Sequence, residues 1–317
     1  MNYISNSIEH YRNELMGIAI ISIIVYHCVG HINFPAFPLN YGFIGVDIFM
    51  FLSGYGLCFA IKKWKIKDFY LRRLLRVYPL FLLLATMKFV FNTQAFEGGI
   101  INWILMISTI SYYSECSYTF VDWYISSLIL IYVMFPLFYY WIIKTRLIGW
   151  LFLLIICACS TLVFDLHWKH ECLVGRIPIF TLGILLFYER GIVTKQSLYL
   201  ILISLMALAG INTIILHNNR FLSSALISPF LIYALVLYFE KLGMGKLVLG
   251  RIGQVSFELY IANCIVIFVL SKFYLSDTQY VLLYLILSII VSYAIIIINK
   301  IIMKRLSILV LSFSRGR

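Results

Sequence analysis

The feature that most limits this chain is a recurring length. Apolar runs of about 17–22 residues follow one another along the whole sequence, and that is the length a helix needs to cross the hydrocarbon layer of a bilayer. Ten can be marked, at roughly 13–32, 43–61, 77–93, 123–143, 147–164, 173–188, 197–216, 222–239, 255–272 and 279–300. Each run is continuous, without the polar–apolar alternation of a closed barrel, so the spans are helices. Of the 317 residues, 63% are hydrophobic and 12% charged. A soluble domain carries about 45–50% apolar and about 25% charged residues, so this chain cannot cover its own surface with polar groups. The expected fold is all-α: a polytopic transmembrane bundle of about ten spans, forming one membrane domain over 1–317. The segment 101–111, "INWILMISTIS", is too short to span comfortably and reads as re-entrant or interfacial. The first run lacks a small-residue cleavage site, so it is expected to stay as a helix.

The formal charge is +12, from 25 basic and 13 acidic residues. In an oily chain this balance reads as the positive-inside rule, and no nucleic-acid partner is expected. With the N-terminus inside, the outer half keeps only Lys88, Lys169, Arg176, Arg220 and Lys272. All other basic residues fall inside, seven of them within 62–76. Both termini are then cytoplasmic. The seven cysteines form no disulfide or zinc pattern. His167, His170 and Glu171 in "HWKHE" have metal-like spacing, but two histidines in a wet loop are weak evidence, and no metal is expected.

Several polar residues sit where oil is expected. His27 lies in "MGIAIISIIVYHCVGH", about 21 Å along the first helix from Asn13, in the outer half of the bilayer. Its structural reading is a histidine bonded to a neighbouring helix. An ionisable group at membrane depth is more often functional. Asp47, in "YGFIGVDIFMFLSGYGL", lies at a similar depth on the next helix. An aspartate beside a histidine fixes its tautomer, as in hydrolase triads; alternatively Asp47 caps its helix. Ser53 and Gly54 in "SGYG" permit close helix approach first and ligand contact second.

The basic loop 62–78 contains "LRRLLRVYP". Plain topology and attraction to anionic membrane lipids account for its charge. Arg72, Arg73 and Arg76 also fall on what looks like an amphipathic helix, with Arg73 and Arg76 on one face. Two guanidiniums one turn apart suit a polyphosphate. Pro79 fits the first turn of the third span. Arg176, in "LVGRIPIFTLGILL", needs a carboxylate or a substrate oxygen; Asp47, Asp122 and Glu171 are available. Glu258 and Asn263 lie in the ninth span.

Together these stretches resemble the acyltransferase-3 family of bacterial membrane O-acyltransferases. "GIAIISIIVYH" is similar to its first helix and "GVDIFMFLSG" to its signature on the second. "RRLLRVYPLF" resembles its arginine pair, with Arg73 and Arg76 at the matching positions. "WYISSLILIYVMFPL", "RIPIFTLGILL" and "GQVSFELYIAN" resemble later helices. The resemblance implies transfer of an acyl group, commonly acetyl, from cytosolic acyl-coenzyme A to a sugar hydroxyl of a cell-surface glycan or its precursor, at the bacterial inner membrane. Acetyl-CoA or another acyl-CoA is then a co-substrate, with no bound cofactor. It also implies that His27 is catalytic.

Two positions depart from the family. Met16 stands where it usually has a basic residue, eleven residues before the histidine. Eleven residues turn a helix through about 1,100°, so both positions share a face about 16 Å apart. Arg12, one turn lower, is the candidate substitute. Asn263 stands where the family often has histidine; it can hydrogen-bond but cannot shuttle a proton. The expected mechanism docks donor phosphates on Arg73 and Arg76, orients His27 by Asp47, and uses Arg176, Asp122 or Asn263 as an oxyanion or acceptor contact. A permease or flippase for a lipid-linked sugar or small anion is the rival class, and a catalytically inactive family member a third. Acceptor, acyl chain and oligomeric state stay open.

Overall fold

A computed structural model describes residues 3–32, 39–113, 123–163, 168–189, 203, 205–206, 209–210, 220–242 and 246–315. Among these residues every regular element is helical and there is no strand. In chain order the helices are α1 (Tyr3–His10), α2 (Arg12–Val29), α3 (Ile44–Lys63), α4 (Ile66–Phe91), α5 (Thr93–Glu97), α6 (Gly99–Ile107) and α7 (Ile110–Tyr113). There follow α8 (Trp123–Val163), α9 (Trp168–Val174), α10 (Ile177–Tyr188), α11 (Arg220–Leu242), α12 (Lys246–Gln254), α13 (Ser256–Leu270) and α14 (Asp277–Arg315).

Seven stretches are long and apolar enough to cross a membrane, or eight if the bent pair α12–α13 counts as one span. The sequence reading marked ten, and the differences have local causes. α8 takes in two of the expected spans, but Arg146 breaks it with non-helical angles of φ 56° and ψ −138°. The expected ninth span is joined to α12 through a 70° bend. The expected run 197–216 lies largely outside the described residues.

The basic segment is also more helical than expected. α3 ends at Lys63 and α4 begins at Ile66, so most of 62–78 is helix rather than loop. Pro79 therefore sits inside α4, not in its first turn. An interior proline removes one backbone bond, to Leu75, without ending the helix here. The segment 101–111 forms parts of α6 and α7, each too short to cross a bilayer, with Thr109 at φ 65° near the break between them.

The chain divides into two compact units. The first comprises Met1–Ile23, Tyr41–Leu71 and Asp122–Gln254. Its centre is the contact of α3 with α10, which also packs on α8. Gly54 and Gly183 let these backbones meet: a Cβ on Gly54 would lie 2.0 Å from the Phe180 carbonyl oxygen, and one on Gly183 2.3 Å from that of Phe51. Such reciprocal small residues are what helix association in lipid exploits. Trp150 donates from its indole to the Pro178 carbonyl at 2.9 Å, pinning the start of α10 to α8. Polar ties hold α1 to the same unit: Ser7 to Glu240 (2.6 Å), Tyr55 to Glu9 (2.6 Å) and Lys246 to His10 (3.0 Å).

The second unit comprises Ile24–Asn40, Arg72–Val121 and Val255–Arg317. Here α13 packs along α14 around Val266, Leu270, Tyr280 and Tyr284, with Ile24, Cys28 and Ile32 against them. Asn299 donates to Glu258 at 2.6 Å lower on the same helix pair. Leu285, Ile286, Ile289 and Ile290 of α14 face outward, as a helix bathed in lipid requires.

Candidate functional site: His27 and two buried polar centres

In the first unit, Asp47 and Arg176 are both completely buried, and Arg176 Nε lies 2.9 Å from Asp47 Oδ1. The N–H is not aligned on the oxygen, so the contact is one of charge. Arg176 Nη1 donates to the Cys172 carbonyl at 3.0 Å. The guanidinium lies between two rings, 4.8 Å from the centre of Trp123 and 4.7 Å from that of Phe221. A cation on aromatic faces gains most where water is excluded. Ser224, from α11, neighbours the carboxylate. Asp47 Oδ2 and Arg176 Nη2 have no hydrogen-bond partner among the described residues.

The sequence places this pair by simple means. Arg176 sits at the N-cap of α10, with Pro178 fixing the first turn behind it. Asp47 lies in the first turn of α3, where it makes no capping bond. The glycine contact between α3 and α10 then brings the two ends together. Of the three carboxylates that could have met Arg176, Asp47 does so. Asp122 lies outside the described residues, and Glu171 is half-buried on α9. Ser53, half-buried, is next to the Gly54 contact.

His27 belongs to the second unit. It is half-buried near the end of α2, its ring 5.2 Å from that of Tyr26. Ile24, one turn earlier on α2, accepts a hydrogen bond from the Tyr284 hydroxyl at 2.9 Å. The same hydroxyl also meets the Asn263 amide oxygen Oδ1, a second acceptor for its one proton. Asn263 and Tyr284 are buried, and the amide nitrogen Nδ2 has no partner among the described residues. Tyr284 escaped the sequence reading. The available signal was a pair of tyrosines, Tyr280 and Tyr284, four residues apart in an aliphatic run and hence on one helix face.

Arg72, Arg73 and Arg76 also belong to the second unit, in the first half of α4. Arg72 and Arg76 are exposed and Arg73 half-buried. Arg12 belongs to the first unit. Its Nη2 lies 3.5 Å from where a Cβ on Gly56 would be, so this glycine gives the guanidinium room against α3. Met16 is half-buried on α2, one turn further on. Among the described residues no three metal-ligating side chains gather; His167 lies outside them.

A family model described as an acyltransferase domain, of the acyltransferase-3 type, matches residues 15–297. His27, Asp47, Arg73, Arg76, Arg176 and Asn263 all fall inside the match, and Arg12 falls outside it. No curated protein and no solved structure matches the chain.

Proposed function

The chain belongs to the acyltransferase-3 family and is a multi-pass membrane protein, and from that premise we propose that it moves an acyl group, acetyl foremost, from cytosolic acyl-CoA to a hydroxyl of a cell-surface glycan or its precursor. The observation that carries this reading is His27, a titratable ring within an apolar helix and inside the matched domain. In the proposal the chain has ten spans with both termini cytoplasmic, in a bacterial inner membrane.

The donor's phosphates dock on Arg73 and Arg76, with Arg72 beside them on α4. Charge-assisted bonds from guanidinium to phosphate are the strong kind, and a pair one turn apart holds a pyrophosphate in place. The pantetheine arm carries the thioester into the bilayer. His27 takes the proton of the acceptor hydroxyl as its oxygen attacks the thioester carbonyl. The carbon–sulfur bond then breaks, and the thiolate of coenzyme A leaves with the proton from the imidazolium. General-base help of this kind is worth about 10²–10⁴-fold.

Asp47, expected to orient His27, and Arg176, expected as an oxyanion contact, are given another part in this proposal. Each is buried against the other, which fits a charge pair that fixes α3 to α10. Asp122 keeps the expectation of an acceptor contact.

The test is incubation of the purified protein in nanodiscs with radiolabelled acetyl-CoA and a panel of glycans. Label recovered in glycan supports the transferase. Glycan or lipid-linked sugar carried across a vesicle bilayer without label overturns it in favour of a carrier.

A further inference from the structure

We propose that Asn263, held by the Tyr284 hydroxyl, is the positioning residue that orients the His27 imidazole. The inference rests on the reading of His27 as the base, and names what fixes that base.

It starts from a proton count. The Tyr284 hydroxyl carries one proton and meets two groups, the Ile24 carbonyl at 2.9 Å and the Asn263 amide. A carbonyl only accepts, so the proton goes to Ile24. The Tyr284 oxygen then has lone pairs to offer and needs a donor from Asn263. The asparagine supplies one when its NH₂ faces Tyr284; oxygen and nitrogen of an amide are assigned by their hydrogen-bond partners in this way. Its carbonyl oxygen then occupies the buried position that has no partner among the described residues. A buried acceptor without a donor is costly, so the site calls for an N–H or O–H.

Helix geometry offers one from His27. In an α-helix the carbonyl of residue i lies beside the side chain of residue i+3. The described residues show the spacing repeatedly: the hydroxyls of Ser108, Ser224, Ser228 and Ser271 each reach the carbonyl three residues back, at 2.9–3.0 Å, and that of Thr181 reaches Pro178 at 3.1 Å. His27 stands three residues after Ile24. Its side chain therefore leaves the helix on the same side as the carbonyl that the Tyr284 hydroxyl meets, and the Asn263 amide is attached to that hydroxyl. The face of α2 that packs on α13 and α14 carries Ile24 and Cys28, with His27 on its shoulder.

An amide oxygen accepting from one ring nitrogen leaves the other as a lone pair. That is the form a general base needs, and an asparagine plays this part in Cys–His–Asn hydrolases. A proton shuttle is not required of Asn263. A fixed carbonyl is, and Tyr284 fixes it.

The test reads the tautomer without any substrate. Protein labelled with ¹⁵N in its histidine rings is placed in nanodiscs, and His27 is assigned by comparison with His27→Gln. In the wild type the neutral His27 ring is expected to hold a single tautomer. Asn263→Leu, similar in size but without the acceptor, is expected to give a mixture. Tyr284→Phe, which removes one oxygen and frees the amide to turn, is expected to do the same. An unchanged His27 signature in both variants, with the other five of the six histidines also unchanged, overturns the proposal. If Asn263→Leu does not fold, Tyr284→Phe alone decides between a mixture and an unchanged ring. A shift to a mixture in protein that transfers no acetyl group keeps the positioning role and rejects the transferase; transfer with an unchanged tautomer does the reverse.

Discussion

Arg176 and Asp47 meet at 2.9 Å with neither side chain exposed, one at the start of α10 and the other in the first turn of α3. Two charges are removed from water there, and each is tolerable only because of the other. Removing one partner of a buried pair costs about 3–5 kcal/mol, since the survivor stays buried and unpaired. Asp47→Leu and Arg176→Met should each lower the thermal midpoint of the protein in detergent by that equivalent. The double variant should recover most of the loss, because it leaves no lone charge. Equal and additive losses would show that the two residues act separately.

Gly54 has a sharper steric demand. An added methyl would lie 2.0 Å from the backbone oxygen of Phe180, and a backbone cannot swing aside as a side chain does. Gly54→Ala should therefore cost about 1–3 kcal/mol, the usual range for overpacking. Gly210, with nothing within 4 Å of its Cβ position among the described residues, is the control. Gly210→Ala should leave thermal stability unchanged or slightly raised, as alanine favours a helix.

How much of this was legible in the sequence follows from which forces are local. Span lengths are set by bilayer thickness, so the apolar runs could be read directly. The helical break at Arg146 could not: there the side chain meets Glu189 at 2.7 Å and lies over the Tyr188 ring, both distant in the chain. An arginine at membrane depth announced the need for a carboxylate, and three were available. The choice of Asp47 needed the glycine contact between α3 and α10. Tyr284 is easily passed over, its spacing from Tyr280 notwithstanding, because tyrosines in membrane proteins usually mark the water interface, whereas this residue is buried. Pro79 misled because proline favours a first turn, while α4 continues through it.

Arg12 fills the room left by Gly56 and stands one turn before Met16. If it takes over from the basic residue that Met16 replaces, Arg12→Ala should raise KM for acetyl-CoA. Gly56→Leu, which pushes the guanidinium off α3, should mimic it. Met16→Arg should restore the Arg12→Ala variant. Unaltered kinetics in Arg12→Ala would remove Arg12 from donor binding.

In the proposed mechanism Arg73 and Arg76 answer to the donor and not to the acceptor. A charge-assisted hydrogen bond is worth about 1.5–3 kcal/mol, which is about ten- to a hundredfold in KM. Arg73→Ala and Arg76→Ala should each raise KM for acetyl-CoA by that factor, more strongly at low salt. Their KM for the glycan should stay unchanged. A rise confined to the glycan would place the donor elsewhere.

The most direct measurement is acetyl transfer by His27→Ala. Purified in nanodiscs with ¹⁴C-acetyl-CoA and an accepted glycan, the variant should fold as the wild type does and bind the donor normally. Its turnover should fall by about 10²–10⁴-fold, the share a general base supplies. Wild-type turnover in folded His27→Ala would mean that this imidazole does not carry the reaction.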